Sequence, residues 1–239
     1  MTTIAERYQD ILRRVREAVR RSPHGNTNVM IMGASKAQSL NKIREASELG
    51  IMDMGENYAQ ELLTKAPLTL DTQIRWHFIG RLQSNKIKHL VPYVSSIGSV
   101  DSLELAERIG RVVESLEVAK PPMPILIQVN QGSERQKSGL PMQIIENLFS
   151  RFNHIKGVQV VGLMTIPPQS KDSLKTVGYF KEMKEFFERL KAQHPEPSVF
   201  KYLSMGMSAD FEMAIEQGSN MIRVGELLFG PRPQRSLEE

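Results

Sequence analysis

The middle of the chain reads PILIQVN (124–130), then PMQIIENLFSRF (141–152), then VQVVGLM (158–164). The first and third segments are short apolar runs rich in β-branched residues, which is typical of buried strands. The second has the apolar spacing of an amphipathic helix. A strand, a helix and a second strand in this order predict two parallel strands joined by a crossover helix.

The same alternation continues in both directions from this unit. Apolar runs of strand length occur at 29–34, 51–54, 75–79, 95–100, 124–130, 158–164, 199–203 and 221–224. Helical patterns lie between them at 40–49, 56–65, 102–116, 141–152, 173–191 and 209–217. Strands that alternate with helices over this length predict an α/β fold, a single (β/α)8 TIM-like barrel. The alternative is a doubly wound open sheet, but no glycine-rich dinucleotide-binding turn follows the first strand.

The two ends of the chain are expected to complete this barrel. Residues 1–22 predict an extra N-terminal helix that opens with a capping box of Thr3 and Glu6. Only a short apolar segment follows the eighth strand, so we expect this helix to fill the last gap in the outer ring. One domain spans residues 1–239, with surface loops at 117–123 and 167–173 and a flexible tail at 231–239.

Composition excludes several classes of protein. With 40% apolar and 24% charged residues, the chain of 239 residues has the composition of a globular domain. It contains no cysteine, which excludes disulfides, a thiol nucleophile and thiolate metal sites. The lack of cysteine also favours a reducing compartment, and we expect the cytoplasm, with the mitochondrion as the alternative. No apolar run approaches the ~18 residues that would predict a membrane span.

The net charge is +4, and much of the excess lies on one face of the first helix. The residues concerned are Arg13, Arg14, Arg16, Arg20 and Arg21. We interpret this as a solvated face of a docked helix. Binding of nucleic acid through it is the alternative, and the acidic residues of the same helix argue against a transit peptide.

Unusual side chains lie on or after several of the predicted strands. In a barrel of this kind the C-terminal ends of the strands meet at one face, and that face carries the chemistry. The candidate binding residues are Lys36, Asn57, His77, Met164, Ser204, Met205, Ser208, Arg223, Gly225 and Glu226. We therefore predict one site at this face.

Lys36 directly follows the first strand. Most lysines at such positions only extend their charged heads into water, but an amine at a barrel mouth can also form a Schiff base with a carbonyl compound. Pyridoxal phosphate is the obvious carbonyl compound if a phosphate site lies nearby. Such a site is predicted where strands seven and eight end, because Ser204 and Ser208 offer hydroxyl groups and Gly225 lets backbone amides approach an anion. Ser208 is also expected to cap the helix at 209–217.

Two further polar residues lie on predicted strands. Arg223 stands on the otherwise apolar last strand, so it either faces outward or meets a polar ligand. Arginine only donates hydrogen bonds, so a pyridine nitrogen that faced it would stay unprotonated. His77 and Trp76 must point to opposite faces of strand three, and a core histidine is the default for His77. The histidines show no metal-ligand spacing, so we expect no metal site.

Several motifs together resemble the pyridoxal phosphate homeostasis proteins, which are similar to the barrel of fold-type III alanine racemases standing alone. These motifs are ASK (34–36), GENY (55–58), HFIG (77–80), LQSNK (82–86), KSG (137–139), GLMTI (162–166), LSMGMS (203–208) with Asp210, RVG (223–225) and FG (229–230). They extend from residue 34 to residue 230, so the resemblance covers nearly the whole chain.

The resemblance implies a role for each residue of the predicted site. Lys36 would form the Schiff base, Asn57 would lie against the cofactor, and Arg223 would face the ring nitrogen. Ser204, Gly225 and Glu226 would hold the phosphate, and His77, Met164, Met205 and Ser208 would complete the surroundings. Members of the family usually carry threonine or serine where this chain has Glu226. A carboxylate there is expected to repel the phosphate, so Glu226→Thr should tighten binding.

The resemblance also implies a carrier of pyridoxal phosphate that serves vitamin B6 homeostasis without catalysis, with apo-enzymes as acceptors. A two-base racemase needs an acid–base group on each face of its substrate, and the sequence identifies no dedicated second base. Tyr58 and His77 are the remaining candidates for such a base. We expect a monomer. The alternative is an enzyme: a one-base racemase or decarboxylase that uses the cofactor, or a Schiff-base aldolase that uses Lys36 alone. Whether Lys137 takes part is left open.

Overall fold

The computed structural model describes residues 2–25, 28–116, 121–132, 138–170 and 172–231. Its strands are β1 (Met30–Ala34), β2 (Asp53–Glu56), β3 (Arg75–Phe78), β4 (Val94–Val100), β5 (Met123–Val129), β6 (Val158–Thr165), β7 (Tyr202–Met207) and β8 (Met221–Val224). Each strand pairs in parallel with the next, and β8 pairs with β1, with Met30 opposite Met221. The strands therefore form a closed barrel, which confirms the predicted (β/α)8 fold and rules out the open sheet.

Helices surround the barrel in the order that the alternation predicts. They are α1 (Ile4–Arg21), α2 (Leu40–Glu48), α3 (Ala59–Lys65), α4 (Ile87–Leu90), α5 (Leu103–Glu114), α6 (Met142–Asn153), α7 (Ser173–Gln193), α8 (Phe211–Glu216) and α9 (Glu226–Phe229), with short 3-10 turns at Ala66–Thr69 and Ser84–Lys86. Most of the apolar core lies between these helices and the sheet, and a second, smaller apolar cluster fills the barrel interior. Each large side chain that is fully buried, such as Phe152, stabilises the fold by about 1.5–3 kcal/mol. None of the described helices is long and apolar enough to span a bilayer.

Helix α1 fills the gap in the outer ring, as expected. The predicted capping box forms, with the Glu6 amide donating to the Thr3 hydroxyl and the Thr3 amide donating to the Glu6 carboxylate. One face of α1 is buried, and the helix contacts α2, α8 and α9. Arg14 and Arg21 on the basic face donate to Glu212 and Glu216 at 2.6 Å each. These ion pairs hold α1 against α8, which favours the docked helix over a nucleic-acid surface.

Two strands, β2 and β7, differ from the prediction by more than one residue. Strand β2 covers residues 53–56 rather than 51–54, because its polar residues find partners inside the fold: Asp53 binds His77 and Arg75, and Glu56 binds Lys65. Strand β7 covers residues 202–207 rather than 199–203. Its serine- and glycine-containing end pairs with β8 through a shifted register, and Ser204 is therefore part of the strand. Sequence patterns treat such polar residues as loop, so both strands were placed too early.

The turn after β7 also differs from the prediction. Helix α8 begins at Phe211, so Ser208 is not its N-cap. The Asp210 carboxylate accepts a hydrogen bond from the Met207 amide at 2.7 Å, and this bond closes the turn. Gly206 has a φ of 92°, and a Cβ there would lie 2.6 Å from the Cβ of Ala214, so the turn requires glycine.

Parts of the predicted loops and tail lie outside the described residues. These parts are residues 117–120, Lys171 and residues 232–239, together with Lys137. Within the described part, Met123 belongs to β5 and Ser173 begins α7, with Asp172 as its N-cap. The loop predictions were therefore slightly too long at their C-terminal ends.

Candidate functional site

A cleft of about 330 Å³ opens at the C-terminal mouth of the barrel. Its volume lies within the range of small-molecule sites, roughly 300–1,000 Å³. Of the predicted site residues, those that line it are Lys36, Asn57, Met164, Ser208, Arg223, Gly225 and Glu226. They come from segments far apart in the sequence and meet because parallel strands bring their C-terminal ends to one face.

Lys36 stands one residue beyond the buried Ser35 at the end of β1 and is itself half-buried. Its ammonium nitrogen lies 4.8 Å from the centre of the Tyr58 ring, a cation–π contact. Within the part of the chain that the structure describes, Lys36 forms no ion pair. An amine held against an aromatic face without a carboxylate partner is available to an incoming ligand.

Asn57 reaches the cleft because the loop after β2 lies unusually close to the end of β3. A Cβ at Gly80 would lie 1.8 Å from the carbonyl oxygen of Asn57, so only glycine allows this approach. The amides of Asn57 and Tyr58 both donate to the buried Glu56 carboxylate, at 2.8 and 3.2 Å. The hydrogen bonds to Glu56 therefore fix the backbone of this loop on the side away from the cleft, while Asn57 lines the cleft itself.

Arg223 is a buried cation at the base of the cleft, with 5% of its surface exposed. Its guanidinium donates to the Ser204 hydroxyl at 2.6 Å and to the Thr165 carbonyl at 2.8 Å, both neutral oxygens. Burial lowers the pKa of Arg223 to about 10, and the charge of Asp210 opposes this only in part. The pKa of Asp210 is itself raised by burial, although the Met207 amide and Arg223 counteract the rise. The base of the cleft thus holds a positive charge that forms no ion pair within the described residues.

Gly225 and Glu226 form the side of the cleft where β8 ends. A Cβ at Gly225 would meet only Ala34, at 3.5 Å, and Ala34 also lines the cleft. Packing within the protein therefore does not require glycine at this position, and a side chain there would fill the cleft instead. Glu226 is exposed and begins the short helix α9. Backbone amides in the first turn of a helix have no partner within that helix.

Three predicted residues lie outside the cleft, and the prediction that they contact a ligand there is not supported by their positions. Ser204 is buried behind Arg223 and accepts its hydrogen bond, and Met205 is fully buried in the core between sheet and helices. Both were placed at the mouth because β7 was expected to end at residue 203. His77 belongs to the opposite end of the barrel.

His77 lies in a second cavity, of about 170 Å³, at the N-terminal mouth. Its ring nitrogens contact Asp53 at 2.9 Å and Ser96 at 2.7 Å, and Arg75 donates twice to the same Asp53 carboxylate. Burial alone would raise the pKa of Asp53, but the hydrogen bonds from His77 and Arg75 outweigh burial and lower it to about 2. Trp76 points to the other face of β3 and donates to Thr69. His77 is thus the core histidine with satisfied hydrogen bonds that the sequence suggested as its default.

Sequence reasoning missed several residues that line the cleft, namely Gln38, Ile79, Ile166, Met207 and Ala209. Gln38 follows Lys36 by two residues, and the position alone could have indicated it. Ile79 and Ile166 directly follow β3 and β6 and supply apolar walls. Among the described residues, no group of three or more histidine or acidic side chains could hold a metal ion.

Known proteins resemble this chain over nearly its whole length. Residues 7–233 match the family model described as alanine racemase, N-terminal domain. The pyridoxal phosphate homeostasis protein of Aquifex aeolicus is 37% identical over 227 residues, which cover 95% of this chain and 97% of that protein. Its counterpart in Pseudomonas aeruginosa is 33% identical over 232 residues, 97% of each chain.

A solved structure extends this resemblance to three dimensions. PipY of Synechococcus elongatus PCC7942, with PLP bound, has a TM-score of 0.81 and 31% identity, and the match covers 95% of this chain and all of PipY. The chain therefore belongs to the family of pyridoxal phosphate homeostasis proteins, built on the barrel of the alanine racemase N-terminal domain.

Proposed function

We propose that this chain binds pyridoxal 5′-phosphate covalently through Lys36, and that it holds and releases the cofactor in vitamin B6 homeostasis without catalysing a reaction of its own. One observation carries the proposal: the Lys36 amine, the buried Arg223 cation and the open backbone at Gly225 line the same cleft. The family membership of the chain supports it, because PipY was solved with PLP bound and the curated relatives are named for its homeostasis.

The groups that line the cleft fit this cofactor. Pyridoxal phosphate presents an aldehyde, a phosphate and a pyridine nitrogen, and the cleft offers an amine, amide and hydroxyl donors beside Gly225 and Ser208, and a guanidinium. The cofactor would supply an aldehyde, a group that condenses reversibly with a neutral amine with loss of water, and Lys36 would hold it there. The guanidinium of Arg223 would face the pyridine nitrogen, which accepts hydrogen bonds, and the phosphate would lie at the donors beside Gly225 and Ser208.

Two observations favour holding over catalysis, and a third residue, Tyr58, carries the alternative. Arg223 only donates hydrogen bonds, so it leaves a facing ring nitrogen unprotonated, which weakens the cofactor as an electron sink. His77 lies in the other cavity and is unavailable as a base near Lys36. Tyr58 contacts Lys36 and is the acid–base group that a one-base enzyme would use, so it carries the alternative function.

We further propose that the protein works as a monomer in the cytoplasm and passes pyridoxal phosphate to apo-enzymes. The absence of cysteine from the sequence supports a reducing compartment. The cleft is open to solvent at the barrel mouth, where Glu226 is exposed, and this supports exchange of the cofactor with an acceptor.

The visible absorbance spectrum of the purified protein with added pyridoxal phosphate tests the covalent bond. Lys36→Ala should lose the absorbance band of the adduct completely. Lys201→Ala is the matched control. The ammonium nitrogen of Lys201 also lies over a tyrosine ring, 5.1 Å from the centre of the Tyr202 ring, but near the opposite mouth of the barrel. Borohydride reduction followed by peptide mass mapping should place the adduct on Lys36 in the wild type and in the control. An adduct that persists in Lys36→Ala would overturn the assignment.

A second measurement tests the absence of catalysis. The protein loaded with pyridoxal phosphate is incubated with amino acids in deuterated water, and loss of the α-hydrogen is followed by NMR. We expect exchange no faster than with free pyridoxal phosphate. Rapid exchange that disappears in Tyr58→Phe would establish the one-base enzyme instead.

A further inference from the structure

Both residues that flank Lys36 are held by a charged cluster behind the cleft, formed by the buried Glu56 and Lys65 and the partly exposed Glu61. Glu56 is completely buried, and Lys65 is 9% exposed. The Lys65 ammonium lies 2.8 Å from Glu56, 2.7 Å from Glu61 and 3.0 Å from the carbonyl oxygen of Ser35. An ammonium has three donors, and each of them has a partner here.

On the N-terminal side of Lys36, the cluster holds Ser35. The carbonyl group of Ser35 accepts from Lys65, and its hydroxyl group lies 2.9 Å from the Glu56 carboxylate. Ser35 itself is fully buried. The peptide group that leads into Lys36 therefore cannot rotate without breaking charged hydrogen bonds in the interior, which are strong and costly to lose.

On the C-terminal side, the cluster holds Ala37. Its amide donates to the Glu61 carboxylate at 2.9 Å, and its φ is 57°. The left-handed region is unfavourable for a residue with a Cβ, and such a conformation persists only where surrounding contacts hold it. The bond to Glu61 is a contact of this kind, and it turns the chain sharply just after Lys36.

The same cluster also holds the aromatic partner of Lys36. The second oxygen of Glu56 accepts from the amides of Asn57 and Tyr58, and the ring of Tyr58 lies against the Lys36 ammonium. One buried carboxylate thus connects the loop after β1 to the loop after β2. The two loops supply the amine and the surface against which the amine rests.

We propose that Glu56, Glu61 and Lys65 are positioning residues that set the direction of Lys36 into the cleft, and that they govern its reaction with a carbonyl ligand. This inference rests on the proposed function only in naming pyridoxal phosphate as the ligand. The positions of the three side chains do not depend on that function. None of the three side chains lines the 330 Å³ cleft, so their effect passes through Lys36 and the loop with Asn57.

Two substitutions at Glu61 separate positioning from simple packing. A single oxygen of Glu61 accepts from both Ala37 and Lys65, and the carbonyl oxygen of glutamine can accept both bonds. We expect Glu61→Gln to form the pyridoxal phosphate adduct within about twofold of the wild type, since both hydrogen bonds persist. In Glu61→Ala both bonds are lost, and the equilibrium constant of adduct formation should fall about tenfold, because a small displacement of a reacting group is costly.

A second readout does not depend on pyridoxal phosphate. Acetic anhydride acetylates lysine amines, and mass spectrometry gives the rate at Lys36 relative to Lys201 in the same sample. We expect faster acetylation of Lys36 in Glu61→Ala and in Lys65→Met, because a loosened amine is more exposed, and no change in Glu61→Gln. If the wild type formed no adduct at all, the proposed function would fail, while the acetylation rates would still decide the positioning role.

Arg75→Met is the control for a loss of stability alone, because it removes a partly buried ion pair at the other mouth. It should lower the midpoint of thermal unfolding and leave both readouts at Lys36 unchanged. The inference is overturned if Glu61→Ala lowers the unfolding midpoint as Arg75→Met does but leaves adduct formation and acetylation as in the wild type. Should Lys65→Met fail to fold, the pair of Glu61 variants gives the answer.

Discussion

The two mouths of the barrel both contain buried charges, but the charged form is favoured at one mouth and disfavoured at the other. At the N-terminal mouth, His77 and Arg75 lower the pKa of Asp53 to about 2, which means that the charged form of this acid is favoured. At the C-terminal mouth, burial lowers the pKa of Arg223 to about 10, which means that the charged form of this base is disfavoured. A lowered pKa therefore means that the fold stabilises the charged form of Asp53 but destabilises the charged form of Arg223.

The difference separates a structural polar cluster from the candidate binding site. At the N-terminal mouth the carboxylate has two cationic or hydrogen-bonding partners, and its charge stabilises the fold. At the C-terminal mouth the guanidinium of Arg223 bonds only to neutral oxygens within the described residues, and Lys36 beside it lies against an aromatic ring. A guanidinium and an amine that form no ion pair with the described residues favour an anionic ligand.

Arg223→Met should produce the largest effect at the C-terminal mouth. We expect the affinity for pyridoxal phosphate to fall about 10- to 100-fold, the range for losing a charged hydrogen bond. The free energy of unfolding of the ligand-free protein should change by only about 1 kcal/mol, because relief of the buried charge offsets the lost hydrogen bonds. Fluorescence titration and urea unfolding measure the two quantities. A variant that unfolds readily but binds normally would contradict this contrast between the mouths.

Asp53→Asn, at the N-terminal mouth, should lower the stability of the protein and leave ligand binding unchanged. The depressed pKa means that ionised Asp53 stabilises the wild type above its ordinary pKa of 3.8, and that this contribution disappears as the pH falls towards about 2. The shift corresponds to about 2 kcal/mol, which the variant should lack at neutral pH. Urea unfolding at a series of pH values, followed by the fluorescence of the single tryptophan, Trp76, measures it. Equal acid sensitivity in the two proteins, or weaker ligand binding in the variant, would count against the assignment.

Glu226→Thr should produce the smallest effect. The exposed Glu226 carboxylate lines the cleft beside Gly225, so its removal should strengthen pyridoxal phosphate binding about threefold, as expected for an exposed charge interaction. Glu114→Thr, at the exposed end of α5, is the control and should not alter binding. The difference should shrink at high salt, since screening weakens interactions between exposed charges. Unchanged or weaker binding in Glu226→Thr would show that the carboxylate does not oppose the phosphate.

The sequence predicted the fold better than the boundaries of the polar strands. Apolar runs located β5, β6 and β8 to within a residue, because their buried faces are continuous. Strand β7 was placed too early, since the serine and glycine at its end follow the pattern of a loop. Only the paired register with β8 shows that they continue the strand.

The same limit applies to the candidate site. Lys36, Asn57 and Gly225, which line the cleft, were predicted from their positions after strands, and this reasoning needs only the topology of the barrel. His77 was predicted for the site, but the structure places it at the opposite mouth, because its place along the barrel axis depends on its partners Asp53 and Ser96, which come from neighbouring strands. The cluster of Glu56, Glu61 and Lys65 was missed for a related reason. Local sequence shows three ordinary charges, and only their burial and mutual distances distinguish them.

The pairing of β8 with β1 bears on how the protein acquires its site during synthesis. The cleft straddles this seam, with Lys36 following the first strand and Arg223 on the last. Before the ribosome has made residues 221–224, the nascent chain contains the amine of Lys36 but not the guanidinium of Arg223. The proposed ligand, held by both residues, would therefore connect the first strand to the last only once the barrel is closed.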